Sequence, residues 1–180
     1  MSTRDTAVSG IAARMRQSFD ESFARAPLGE RIAPEDFLMV RLGSARYVLR
    51  LAEIRRVASM QGLTRFPTPL PQLLGVAGVR GVLVPVYDLR SCLELPIEGQ
   101  PRWLAVAAAA PLALAFDAVD SYLRMPPGAT AGAEGGARGS SHHVREILHH
   151  DGQALPVISV SSLVAAIQSA VQALPPTRGA

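Results

Sequence analysis

From residue 37 onward the apolar residues recur mostly at every second position, in short runs separated by Gly, Pro, Ser or Asp. This is the pattern of strands joined by tight turns. Phe37 to Leu42 alternates, Gly43-Ser44 supplies a two-residue turn, and Arg46 to Leu51 returns. Ile54 to Met60 is a third strand. Gly62 and the cluster Pro67, Pro69 and Pro71 block helix and ladder alike and predict a surface loop, with one helical turn over Gln72 to Leu74. A second series begins near Arg102. It comprises Trp103 to Ala107, then Leu112 to Phe116, where large residues at 112, 114 and 116 oppose a small face of Ala113 and Ala115. Val119 to Met125 alternates again, with Asp120, Tyr122 and Arg124 on one side. Residues 126–141, rich in Gly, Ala and Pro, read as a mobile loop. Val144 to His149 and Gln153 to Ile158 flank Asp151-Gly152, a hairpin dipeptide that takes φ > 0 at both places. Helical period appears only at the ends. Val8, Ile11, Met15, Phe19 and Phe23 form a stripe closed by the Pro27–Pro34 linker; Leu163, Val164, Ile167 and Val171 form another behind the cap Ser159.

The densest signal is Leu73 to Leu93, LLGVAGVRGVLVPVYDLRSCL. Gly75, Gly78 and Gly81 predict a sharp turn around Arg80. Val82 to Tyr87 is a β-branched apolar run with little alternation, so both faces are expected to be covered and Leu83 to be a core position. Pro85 cannot donate to a ladder and is expected at a sheet edge or a bulge. Asp88 is an N-cap for a short helix, Leu89 to Glu94. Gly81 to Leu89 has a second copy in Gly152 to Val160, with proline at the same place and Ser159 for Asp88. Arg80 becomes Asp151 there, so a structural role common to both copies does not require the arginine.

Composition narrows the function. The chain has 180 residues, 48% of them hydrophobic, and a formal charge of +3 carried entirely by arginine. Residues 37–100 hold eight Arg against four acids and contain the whole excess; the flanking segments are close to balance. A basic β-barrel that binds nucleic acid is one reading of this excess, but it is small and stacking aromatics are scarce. An acidic protein partner fits better. The single cysteine, Cys92, excludes an intrachain disulfide and points to a reducing compartment. No leader or membrane span is expected. His142, His143, His149 and His150 lie at opposite ends of one strand without a completing Cys or carboxylate cluster, so no metal is expected. Cys92 lacks a positioned base, and Asp117 and Asp120 fall on opposite strand faces. No phosphate loop or dinucleotide fingerprint is present. These absences predict a protein that is not an enzyme and holds no cofactor.

GVAGVRGVLVPVYDLR resembles the signature of the CheW-like domain family. Phe37 to Leu42 with Tyr47 to Leu49 is similar to that family's opening hairpin. Thr64-Arg65-Phe66-Pro67 resembles its T-x-[IL]-P element, and Leu112 to Arg124 its V-x-D-x-V segment. The resemblance implies an all-β fold of two pseudo-repeated five-stranded SH3-like barrels, with short helices and a helix at each end. The expected organisation is an N-terminal helix and linker over 1–35, then the domain over 36–172. Within the domain the first barrel is expected over about 36–100, the second over about 101–160 and a helix over about 160–173, before a tail at 174–180. The implied function is a non-catalytic, cytoplasmic chemotaxis adaptor, recruited to membrane-bound receptor arrays. Its partners would be a CheA-type histidine kinase and the cytoplasmic tip of a chemoreceptor, in a flagellar pathway or in one controlling pili or surface behaviour. By the same resemblance Val79, Arg80 and Gly81 lie in the partner contact region, with Ile54 and Arg56 beside it. Two positions depart from the family's usual pattern: Gly78 stands where Asn is common, and Arg56 where an acid is common.

Overall fold

A computed structural model describes residues 33–132 and 142–174. The expected N-terminal helix, the segment 133–141 and the C-terminal tail lie outside the described residues. The elements follow in order: β1 (Glu35–Leu42), β2 (Ala45–Arg50), a 3-10 turn (Leu51–Glu53), β3 (Ile54–Ser59), β4 (Leu73–Val79), β5 (Val82–Asp88) and α1 (Leu89–Cys92). Then come β6 (Trp103–Ala107), β7 (Ala113–Phe116), β8 (Ala118–Met125), β9 (Thr130–Gly132), β10 (Val144–His150), β11 (Gln153–Ile158) and α2 (Val160–Gln172). The helical turn expected over Gln72 to Leu74 is instead the start of β4, whose ladder with β5 begins at Leu73.

The strands form one sheet ordered β8-β1-β2-β11-β10-β9, here barrel A, and one ordered β3-β6-β7-β5-β4, here barrel B. The two orders superimpose strand for strand. β8, β1, β2, β11 and β10 correspond to β3, β6, β7, β5 and β4. Barrel A therefore takes β1 and β2 from the first half of the chain and β8 to β11 from the second, and barrel B takes β3 to β5 from the first half and β6 and β7 from the second. This corrects the expectation that one barrel ends near residue 100 and the next begins there: β3 and β8 each leave the sheet of the preceding strand and join the other. The crossover follows from the parallel pairs. β5 lies parallel to β7, and β11 parallel to β2, so chain ends that a local hairpin could not bring together share an end of the sheet.

Three cores result. Phe37, Met39, Val48, Leu123, Leu148, Leu155 and Val157 fill barrel A. Ala77, Val84, Val86, Leu104, Val106, Ala113 and Ala115 fill barrel B. The third and largest lies between the barrels and contains Leu38, Val40, Leu49, Ile54, Tyr87, Leu114, Phe116 and Ile158, with Leu163, Val164 and Ile167 of α2. The period-two pattern explains the division. In β7, Ala113 and Ala115 point into barrel B, where space is small, and Leu114 and Phe116 point to the shared core.

The two prolines of the repeat do not lie at sheet edges. β5 and β11 are each flanked on both sides. Val76 bonds Thr64 through both its N–H and its C=O, so its pairing with Pro85 is a non-hydrogen-bonded one and the proline nitrogen faces β7. The β5–β7 ladder begins one residue later, at Val86, so no donor is missed there. Pro156 repeats the arrangement, paired with Ile147 one residue before the β11–β2 ladder. The short β9, paired with Ile147 through Ala131, is the counterpart of the Thr64–Val76 bridge. Gly75 permits that bridge: at φ 146° it approaches Thr64 so closely that a Cβ would meet the Thr64 carbonyl oxygen at 2.2 Å.

Each crossover carries an acid that clasps the helix beginning beside it. Glu53 accepts from Val160 N at 2.8 Å and from Ser161 Oγ at 2.7 Å, at the start of α2. Asp117 faces Arg90 Nη1 of α1 at 3.2 Å and accepts Gly43 N of the β1–β2 turn at 2.6 Å. Arg90 is 1% exposed and Asp88 2%. Asp88 caps α1 by accepting Arg90 N at 3.0 Å, and its carboxylate also takes Nε at 3.2 Å and Nη2 at 3.1 Å; Nη1 reaches the Glu98 carbonyl as well. Burial pulls the Arg90 pKa down, and the hydrogen bonds and charge of Asp88, with Asp117, more than offset it and hold it above its ordinary value. Asp-Leu-Arg thus tethers α1 to the turn between the barrels, a role that the capping reading of Asp88 captured only in part.

Candidate functional site

Strand register decides which residues share an end of barrel B. β3 and β6 are antiparallel, as are β6 and β7, while β5 runs parallel to β7 and antiparallel to β4. The start of β3, the end of β4, the start of β5 and the β6–β7 turn therefore lie at one end. Val79, Arg80, Gly81, Ile54 and Arg56 all fall there. Their exposure separates them. Arg80 and Gly81 are exposed at the tip of the β4–β5 hairpin, with φ 50° and 81°. Positive φ at both central residues makes a primed two-residue turn, which matches strand twist and throws the Arg80 side chain outward. Val79 is half-buried against the barrel B core. Arg56 pairs with Val106, is half-buried, and its guanidinium has no carboxylate within 4.0 Å among the described residues. Ile54 is 9% exposed and packed into the core between the barrels. Its neighbour Arg55 is exposed and donates Nη2 to the Ala108 carbonyl of the β6–β7 turn at 3.3 Å.

The pattern also concealed two residues. Val82 is 59% exposed and Leu83 is 73% exposed. The run was expected to be covered on both faces, but β5 overhangs β7 by several residues before its ladder starts at Val86. Leu83 pairs with Gly78, which has no side chain and open space where one would stand, so the leucine projects bare. The sequence did hold a signal: in the second copy the matching residues are Gln153 and Ala154, which a core would not accept in place of Val and Leu.

Charge is unevenly satisfied. In barrel A, Arg41 and Arg46 meet Asp120, Arg50 meets Glu35 and Glu146, and Arg124 meets Asp36. Arg55, Arg56 and Arg80 have no carboxylate within 4.0 Å among the described residues.

The chain from 36 to 168 matches the family model of the CheW-like domain. The protein belongs to the CheW-like domain family. A stretch of 62 residues is 32% identical to the chemotaxis protein CheW of Bacillus subtilis (strain 168), covering 34% of this chain and 40% of that relative. The match thus spans two-fifths of the relative's length. The crystal structure of the scaffolding protein TtCheW from Thermoanaerobacter tengcongensis has a similar fold, with a TM-score of 0.65 at 18% identity, over 72% of this chain and 92% of that one. The two SH3-like barrels of the CheW-like fold are barrels A and B.

The other sites raised by the sequence have plain surroundings. His143 Nδ1 lies 2.9 Å from Ser162 Oγ, and burial, then the nearby His142 and Arg145, lower its pKa. His150 Nε2 is 3.3 Å from Asp151, while His142 and His149 are exposed. Among the described residues no group of three or more His, Cys, Asp or Glu is placed to hold a metal ion. Cys92 lines a groove of about 200 Å3 with Tyr87, Glu94, His143 and Leu163, and burial, then the charge of Asp88, push its thiol up to about 12. A thiol so raised is protonated at neutral pH and is a poor nucleophile. No helix among the described residues is long and apolar enough to cross a membrane.

Proposed function

We propose that this CheW-like chain is a non-catalytic, cytoplasmic adaptor that couples the cytoplasmic tips of chemoreceptors to a CheA-type histidine kinase. The observation that carries the proposal is the β4–β5 hairpin of a CheW-like domain, held in a primed turn with Arg80 projected and without a carboxylate partner among the described residues. Its surroundings suit a partner. Val79 and Gly81 set the shape of the tip, and Arg56 adds charge at the same end. The core of barrel B is made of buried Ala, Val and Leu side chains, so this end is presented on a packed support.

The test is titration of the full chain into the regulatory domain of the kinase and into a receptor cytoplasmic fragment. Arg80→Glu changes an exposed residue, so its melting curve should match wild type. Reversing a charge that becomes buried at an interface should weaken binding roughly 30-fold or more. Equal affinity of wild type and Arg80→Glu for both partners would remove the hairpin from the contact.

A further inference from the structure

Four ladders join the first half of the chain to the second: β1 with β8, β2 with β11, β3 with β6 and β5 with β7. The core between the barrels is shared in the same way, with Leu38, Val40 and Leu49 packed with Leu114, Phe116 and Ile158. These contacts fit the second half of an identical chain as well as they fit a half's own. Only the covalent connection decides between the two. The links from barrel to barrel are short and clasped. Glu53 holds the start of α2 and, through its carbonyl, Ala108 N at 2.9 Å; Asp117 holds Gly43 N and faces Arg90. The connection between the halves, Pro96 to Gln100, is exposed throughout, and the Glu98 carbonyl ties it to Arg90. The chain is anchored on either side of it. Leu95 packs against the core and donates to the Arg90 carbonyl at 2.9 Å, while Pro101 is buried and Arg102 bonds Phe116 at 3.0 Å and Met60 at 2.7 Å. Between the anchors the backbone is bent against its preferences. Glu94 and Gly99 stand at φ 57° and 65°, the first uncommon for a residue with a side chain. Leu95 and Gln100 each precede a proline, which favours extended backbone.

We propose that Pro96 to Gln100 is the hinge of a domain exchange whose partner is a second copy of this chain. The part of each copy that ends at Leu95 closes both barrels with the part of the other copy that begins at Pro101. The inference stands apart from the adaptor reading. Exchange keeps the four ladders, the cores and the clasps made by Glu53 and Asp117, so the two forms differ only at the hinge. Straightening the hinge releases the left-handed turns at Glu94 and Gly99 and lets the two prolines take their extended setting. From Leu95 to Pro101 an extended chain reaches about 20 Å, so the two exchanged units lie side by side. A two-fold axis then runs between the hinges and brings the two copies of Ile97, 63% exposed in the single chain, against each other. The product is one particle with two complete pairs of barrels. Its formation is second order and is favoured where the chain folds at high concentration.

The experiment refolds the full chain from denaturant at about 10 µM and about 1 mM and measures mass by size-exclusion chromatography with light scattering. Wild type should be a monomer at the lower concentration and partly a dimer at the higher, with the same circular dichroism and slow reversal on dilution. Gly99→Pro cannot take φ 65° and suits the open hinge, so it should dimerise about 10-fold or more tightly. A Gly-Ser insertion of about six residues after Gly99 should return the chain to monomer. Asp36→Cys with Arg124→Cys identifies the exchange, because the two positions face each other across β1 and β8, from opposite halves. Oxidation of the dimer should link two chains on a non-reducing gel. That readout is made with the wild-type hinge, so it decides the matter even if Gly99→Pro fails to fold. Wild type that remains monomeric after refolding at the higher concentration overturns the inference, as does a dimer whose disulfide lies within one chain. A folded Gly99→Pro with no gain in dimer overturns the assignment of the hinge.

Discussion

Replacing Arg90 by methionine tests the clasp that joins the barrels. The side chain is 1% exposed, and its guanidinium is the partner of Asp88 at 3.1 and 3.2 Å and of Asp117 at 3.2 Å. Methionine fills much of the volume but leaves the carboxylate of Asp88, 2% exposed, without a countercharge. Breaking a buried pair by removing one partner costs about 3–5 kcal/mol. In a domain of this size 1 kcal/mol shifts the midpoint by about 3 °C, so the loss is about 10–15 °C. Asp88→Asn keeps a good helix cap and removes the stranded charge. The double variant Asp88→Asn with Arg90→Met should therefore recover part of the loss, and the two changes should be strongly non-additive. Thermal melts followed by circular dichroism, with chemical denaturation as a check, complete the cycle. If Arg90→Met unfolds within about 1 kcal/mol of wild type, or the two changes simply add, the clasp contributes little and the Asp-Leu-Arg sequence needs another explanation.

Leu83→Asp should leave stability within about 0.5 kcal/mol of wild type because the side chain is already in solvent, whereas Val84→Asp, next to it but 4% exposed, should abolish the cooperative melt; matching behaviour of the two would mean the overhang of β5 is wrong. Glu146 titrates below its ordinary 4.5, chiefly because Arg50 hydrogen-bonds its charged form. A depressed carboxylate pKa gives stability that is present above the unfolded-state value and lost as pH falls through the folded one. Glu146→Gln should accordingly lower stability at pH 7 and flatten its decline on acidification below about pH 4.5, measured as denaturation midpoints against pH. Cys92, with its thiol raised to about 12, should resist iodoacetamide in the native state and react once denaturant is added, as read by mass spectrometry; rapid native labelling would refute its burial.

The positions of most strands were legible because alternation and turn chemistry are local. Gly43-Ser44 and Asp151-Gly152 marked hairpins, and Asp88 and Ser159 marked helix starts that the structure places beside them. Sheet membership was not legible. Whether β3 stays with β2 or crosses to β6 depends on pairing between residues far apart, and period two is the same in either sheet. Exposure along Val82 to Tyr87 failed for a related reason: an apolar run looks alike whether its neighbour strand covers all of it or begins at Val86. Ile54 falls at the expected end of barrel B, but its burial was not legible, because adjacency to the site in sequence says nothing about which face a β-residue takes. Arg90 was overlooked because a buried arginine and an exposed one are the same letter until Asp117 arrives from the second half of the chain.

The reciprocal exchange of strands also bears on how the chain can be born and divided. A segment ending near residue 100 contains two strands of barrel A and three of barrel B, and neither set closes a core. No stretch of it is a domain, although its hairpins are local. The Arg50–Glu146 contact alone spans 96 residues, so barrel A waits for nearly the whole chain before it can form. β1 meets β8 and β2 meets β11 only after the second half of the chain has been made, and pairing between segments so far apart in sequence is slow to form. The same arrangement is what a domain-swapped pair of identical half-units would become once joined end to end. In that arrangement the segment near residue 100 is the point at which the two half-units are joined, and the Arg80-Gly81 and Asp151-Gly152 hairpins occupy equivalent places in them.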